Sequence, residues 1–244
     1  MAGRWECPSG TVLIQGECIK ISINLNCPNG TELVQGECLE ICPYIRLSNG
    51  TCVRRFILEQ SEIFYKPVIY LYPEESMYIS VQLNLKESKF TTVYPKFNGK
   101  NTWNVRAKPN GDILIKNKTY PYLFWEAESY NSQETKEGFM VNEENAEKFL
   151  EEKLGILGLN EKEKTDFITF WLPVLLRNKL SICTFQTQKF FNNFELNITP
   201  KPDSMIRVFL TIKKLERPIN IREQKLESVE RKGFTAVEWG GSNI

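Results

Sequence analysis

Two glutamates in this chain stand beside tryptophans, in Trp125-Glu126 and Glu238-Trp239. A pair of carboxylates flanked by aromatic rings is the minimal equipment for glycoside hydrolysis, one acting as acid and the other as nucleophile or base. An apolar neighbour would raise the acid's pKa by stripping water from its charged form. The same residues read equally as strand-edge carboxylates that accept from backbone amides or pair with an arginine such as Arg106 or Arg207. Trp103, Trp125 and Trp239 offer either a sugar-stacking platform or core packing, and exposure decides between them.

Sulfur chemistry is concentrated near the amino end. Cys7, Cys18, Cys27, Cys38, Cys42 and Cys52 form a repeat, in which Cys-Pro-x-Gly-Thr opens a copy and Gln-Gly-Glu-Cys closes it in the first two. Pairing within each copy (Cys7–Cys18, Cys27–Cys38, Cys42–Cys52) is the economical arrangement among 15 connectivities. Each closed loop would stabilise by up to roughly 3 kcal/mol, and the chain would then live in an oxidising compartment. Zinc is the alternative, weakened by the absence of C-x2-C and of histidine. Cys183 is the odd cysteine, expected to face inward on an alternating strand, with intermolecular pairing as the other reading.

Several chemistries are excluded. The chain contains no histidine, which removes Ser-His-Asp and Cys-His hydrolysis, histidine-ligated zinc and histidine general bases. Neither phosphate-binding glycine motif occurs. Asp112 and Asp203 lie by turns, but no D-x-D-x-D-G loop accompanies them, so no metal and no cofactor is expected. A formal net charge of +1 gives no reason to expect nucleic acid. Residues 137–166 are acidic and 213–232 basic, as solvated faces or a local docking surface. The longest apolar stretch, Phe167 to Leu176, is too short for a membrane span. Met1 to Trp5 contain no apolar leader region, so the expectation is a secreted or cell-surface protein whose signal peptide has been removed, with assembly into a virion as the alternative. Asn-x-Ser/Thr triplets at Asn29, Asn49, Asn117 and Asn197 are candidate glycosylation sites.

The elements that must position these residues follow from hydrophobic period. Residues 1–58 read as a module of three disulfide hairpins, and 59–244 as a β-rich body. Met77 to Lys86 alternates, with Ile79, Val81, Leu83 and Leu85 on one face. Trp103, Val105 and Ala107 alternate as well, and Pro109-Asn110-Gly111-Asp112 turns the chain into Ile113-Leu114-Ile115. The period then changes. Asn142 is read as the cap of a helix over about 143–154 ended by Gly155. Asn160-x-x-Glu163 is read as a capping box for a second helix over about 161–171, stopped by Pro173. Alternation resumes in Ile182 to Thr187, Phe194 to Thr199 and Ile206 to Lys213. The expected fold class is α+β: an antiparallel sheet or sandwich with a helical-pair insertion.

Lys66-Pro-Val-Ile-Tyr-Leu-Tyr-Pro73, the hairpin from Trp103 to Asp112, Phe124-Trp125-Glu126, Gly138-Phe139, Trp171-Leu172-Pro173, Ile198-Thr-Pro-Lys-Pro-Asp203 and Val237-Glu-Trp-Gly-Gly241 occur in one order. With them the chain resembles, over about 66–244, an uncharacterised and mainly bacterial protein family. The resemblance implies no activity. The cysteine module lies outside it and resembles short repeats of secreted or surface proteins. The first functional expectation is therefore a non-enzymatic surface, secreted or virion protein that binds a glycan or another protein. The second is a carboxylate-based hydrolase using Glu126 and Glu238.

Overall fold

A computed structural model describes side chains from Tyr65 onward, except at 130–132 and 134, and gives backbone alone for 62–64 and six short strands nearer the amino end. The chain divides into two units, Met1–Glu59 and Gln60–Ile244. In the first, β1 (Thr11–Ile14) pairs with β2 (Glu17–Lys20), β3 (Thr31–Val34) with β4 (Glu37–Glu40), and β5 (Ile45–Arg46) with β6 (Cys52–Val53), all antiparallel. The equivalent registers Leu13↔Cys18 and Leu33↔Cys38 reflect the sequence repeat. Cys7, Cys27 and Cys42 lie outside the described residues, and the expected disulfides with them.

The second unit is a β-rich α+β fold of two sheets and, among the described residues, three helices. Its first strand, β7 (Glu62–Tyr72), is followed by β8 (Met77–Leu85), β9 (Ser88–Tyr94), β10 (Thr102–Ala107), β11 (Ile113–Ile115), β12 (Lys118–Tyr120), β13 (Leu123–Ser129) and β14 (Phe139–Asn142). Then come α1 (Ala146–Ile156), α2 (Glu161–Asn178), β15 (Leu180–Phe185), the short α3 (Gln188–Phe191), β16 (Phe194–Thr199), β17 (Ser204–Lys214) and β18 (Thr235–Asn243). The smaller sheet has the order β12-β11-β10-β8-β16 and the larger β14-β15-β17-β18-β7-β13-β9.

Burial explains the two kinds of strand pattern. In β8, Ile79, Val81 and Leu83 are buried while Tyr78 stands exposed, because one face of the smaller sheet meets the core and the other meets water. In β7, Val68, Ile69, Tyr70 and Leu71 are all fully buried because both faces of the larger sheet are covered. Ile69 and Leu71 join Val81, Trp103, Trp125 and Phe194 between the sheets. Val68 and Tyr70 join Phe167, Trp171 and Trp239 beneath the helices. Each large apolar side chain so buried contributes roughly 1.5–3 kcal/mol.

Three expectations are corrected. The helix cap is Asn145, not Asn142; the two asparagines exchange side-chain-to-amide bonds of 2.9 and 3.0 Å. Gly155 lies inside α1, and the positive-φ residue beyond it is Gly158 (φ 87°). Pro173 does not stop α2, which runs five residues further to Asn178. An interior proline costs about 3 kcal/mol. Leu175 is buried beyond it, and Leu172 and Val174 pack against the same core, so tertiary burial outweighs the lost helix bond. The capping box does form, with Asn160 Oδ1 accepting from the Glu163 amide at 3.0 Å and Glu163 Oε2 from the Asn160 amide at 2.9 Å.

The larger sheet is not wholly antiparallel, since β17 and β18 run parallel. Parallel neighbours need a long return connection, and residues 215–234 supply it without a helix of their own. At the end of β15, past its pairing with β14, Gln224 takes the place of a strand neighbour for one residue, accepting from the Phe185 amide at 2.9 Å and donating to its carbonyl at 2.6 Å. Arg231 donates to the Gly158 carbonyl at 2.8 Å and pairs with the fully buried Glu163.

Candidate functional site

The structure does not bring Glu126 and Glu238 together. Glu238 sits between Val237 and Trp239, whose side chains go to the helical side, so its own enters the space between the sheets. There Trp125 Nε1 donates to Glu238 Oε1 at 3.1 Å, and Arg207 Nε donates to Oε2 at 2.7 Å. Arg207 also donates to the Phe194 carbonyl at 2.8 Å and lies 4.4 Å from the Phe191 ring centre. The carboxylate side chain is 5% exposed and the guanidinium side chain 12%. The cavity bordering them measures about 10 Å³, room for roughly one water molecule and no sugar ring.

Glu126 leaves on the opposite face and has a local task. Both partners of β7 slip register around Lys66-Pro67, the slips lying between Phe124 and Ala127 on β13 and between Trp239 and Gly241 on β18. Proline has no N–H to offer the ladder, and Lys66 takes a positive φ of 51°. The Lys66 amide donates to Glu126 Oε1 at 3.2 Å. On this helical side the Lys66 ammonium lies 5.1 Å from the Phe170 ring centre and 5.7 Å from that of Trp239.

The tryptophan platform is also corrected. Trp103, Trp125 and Trp239 are 0%, 2% and 0% exposed, and a buried ring presents no face to a sugar. Trp103 and Trp125 fill the intersheet core, and Trp239 the core beneath the helices. Alternation turns Trp103 and Trp125 inward; the other face of β10 is polar, with Thr102, Asn104 and Arg106, whereas that of β13 carries Phe124 toward the helical-side core together with Glu126 and Glu128. Cys183 is a free, fully buried thiol in the helical-side core, and burial pushes its pKa up. Asn117 is exposed in the turn between β11 and β12, and Asn197 is exposed on β16; Asn29 and Asn49 lie outside the described residues.

The surface with recognition chemistry is the outer face of the smaller sheet. Antiparallel register aligns its residues in rows across the strands. Arg106 of β10 is opposite Tyr78 of β8 and Leu114 of β11. In the next row Asn104, Ser80 and Thr199 come from β10, β8 and β16, and in the next Thr102, Gln82 and Asn197. Tyr78 is 78% exposed, and the Arg106 guanidinium lies 6.0 Å from its ring centre. Asn104 is steadied by Asn98, whose Oδ1 accepts from the Asn104 amide at 2.7 Å and whose Nδ2 donates to the Asn104 carbonyl at 2.9 Å. A shallow, open groove of about 690 Å³ runs over the first two rows and reaches Lys116 and Pro200. Of these residues the sequence reading had singled out only Asn197, as a glycosylation triplet, and Arg106, as a carboxylate partner. Their signal was the polar half of each alternating strand, which becomes a surface only when register is known.

Among the described residues, no helix is long and apolar enough to cross a membrane. The chain is similar to a protein of Butyrivibrio fibrisolvens named as an uncharacterized protein in the bglA 3' region, with 47% identity over 64 residues. Those residues are 26% of this chain and 66% of the relative, so the chain covers just under two thirds of that protein's length. No family model and no solved structure matches the chain. Likeness to an uncharacterised bacterial protein fits the resemblance drawn from the sequence and brings no activity with it.

Proposed function

We propose that this is a non-enzymatic binding protein of a cell surface, a secretion or a virion, and that the outer face of its smaller sheet recognises glycan. The observation that carries the reading is Tyr78, an aromatic side chain 78% exposed beside in-register rows of amides and hydroxyls. Asn, Gln, Ser and Thr side chains both donate and accept, as sugar hydroxyls do. A tyrosine ring adds an amphipathic flat surface with a polar tip. The oxidising location rests on the cysteine repeat, and the hairpins of the first unit would then be covalently closed contact or stalk elements.

The test is a glycan array probed with the full chain and with Tyr78→Ala. The expected result is retention on a subset of glycans, weakened about tenfold or more in the variant, the equivalent of roughly 1.4 kcal/mol. Retention by the variant equal to that of the parent would remove this face from the function. No retention of the parent on any glycan would overturn the glycan reading.

A further inference from the structure

We infer that the glycan taken by this face is acidic, an oligosaccharide whose sugars carry carboxylates. This rests on the glycan-binding reading above and assigns its ligand class. The groove is lined by two cations, Arg106 and Lys116, and by no aspartate or glutamate. Arg106 has no ion-pair partner among the described residues; its one neighbour of note is the Tyr78 ring, 6.0 Å away. An exposed guanidinium beside an aromatic ring loses less freedom on binding than a lysine in open water, and its planar fork matches a carboxylate with two parallel hydrogen bonds.

Charge is graded along the sheet in the direction this requires. Glu195, a carboxylate of this face, lies at the other end of β8 and β16, opposite Asn84 and engaged by Lys86 at 2.9 Å, while Asp112, in the turn beyond the Arg106 row, has Lys108 as its counter-charge at 4.0 Å. Between that neutralised pair and the cationic end lie the uncharged rows Thr102-Gln82-Asn197 and Asn104-Ser80-Thr199. An oligosaccharide along the strands would set hydroxyls over the amide rows and a carboxylate over Arg106. The whole chain carries a net charge of only +1, so the attraction is local to this end and not a general affinity for polyanions.

Calorimetric titration of the full chain with oligogalacturonate, and with the same oligomer after its carboxylates are reduced to alcohols, tests the inference. Oligogalacturonate is expected to bind about tenfold tighter or more, the scale of one charge-assisted hydrogen bond, and the preference should shrink with added salt. Arg106→Gln, a substitution at an exposed position of β10, should abolish the preference, so that the variant binds the two oligomers equally. Tyr78→Ala should weaken both oligomers. Equal binding of the two oligomers, or an Arg106→Gln variant that keeps the preference, overturns the acidic ligand and leaves the glycan face standing. A sulfated oligosaccharide that has no carboxylate, such as a carrageenan oligomer, overturns the carboxylate assignment if it outcompetes oligogalacturonate. Failure of both oligomers, with an empty glycan array, overturns the inference and the underlying reading together.

Discussion

Arg207→Leu should be among the most damaging single substitutions in the second unit. The change strands the Glu238 carboxylate, 5% exposed, with one remaining donor, Trp125 Nε1. With both side chains this far from water, solvent screening provides little relief. Removing one member of a buried ion pair costs about 3–5 kcal/mol, mostly the penalty of the unpaired charge. At 2–4 °C per kcal/mol for 150–250 residues, the unfolding midpoint should fall by roughly 6–20 °C. The diagnostic is the double variant Arg207→Leu/Glu238→Gln, which removes the charge and leaves an amide oxygen for Trp125. The hydrogen bond from Arg207 to the Phe194 carbonyl is lost in both variants and cancels in their comparison. The double variant should therefore recover about 0.5–3 kcal/mol, the range of coupling for groups in contact. Urea unfolding followed by tryptophan fluorescence measures each step, read at constant slope so that stability alone changes. A cost for Arg207→Leu below about 1 kcal/mol, or a double variant no more stable than the single, would refute the structural account of Glu238.

Three further outcomes are expected. Gly241→Ala should cost about 1–3 kcal/mol or more, because its Cβ would stand 2.5 Å from the Leu210 carbonyl and 2.6 Å from the Trp171 ring; Gly155→Ala, with nothing within 4 Å, should stabilise by up to about 1 kcal/mol. Equal midpoints for the two variants in denaturant would contradict this. Burial, then the Asp166 carboxylate for Tyr70 and the Glu163 carboxylate for Tyr72, pushes both phenols above their ordinary range. Their neutral forms are full contributors below about pH 10, where the unfolded phenols begin to ionise, and stability falls as pH rises beyond it. The fall should be shallower in Tyr70→Phe, and an unchanged slope in that variant would be decisive against it. Finally, thiol titration of unreduced protein in denaturant should reveal one reactive group of the seven cysteines, lost in Cys183→Ser and silent in the native state. Seven reactive groups would remove the oxidising compartment.

How much of this was legible beforehand depended on whether one strand or two decided the matter. Ile79, Val81 and Leu83 could be assigned to a core face from β8 alone, since a period of two is a property of one segment. The Asn160-Glu163 box was equally local. The partner of Glu238 was not local. Arg207 is 31 residues away, and becomes its neighbour only because β17 and β18 run parallel with Arg207 opposite Glu238. The extent of α2 past Pro173 was illegible for a related reason: the proline penalty is read from the residue, but the burial that outweighs it belongs to the sheet underneath.

The same distinction separates the buried tryptophans from the exposed polar face of the smaller sheet. Trp103 and Trp125 are large enough to be prized in either location, and alternation sends them inward with Val105 and Ala127. What alternation sends outward from β8 and β10 is Tyr78, Ser80 and Gln82 beside Arg106, Asn104 and Thr102, residues that read singly as ordinary solvated positions. They gain meaning as rows, and rows exist only in register. Asn197 sits in one of those rows, so a glycan attached there would lie on the proposed binding face itself. Modification of Asn197 and recognition of a soluble oligosaccharide are thus competing uses of one surface. In a glycosylating compartment the proposed recognition would therefore require Asn197 to stay unmodified, and the presence or absence of a glycan on Asn197 in the native protein bears directly on the proposal.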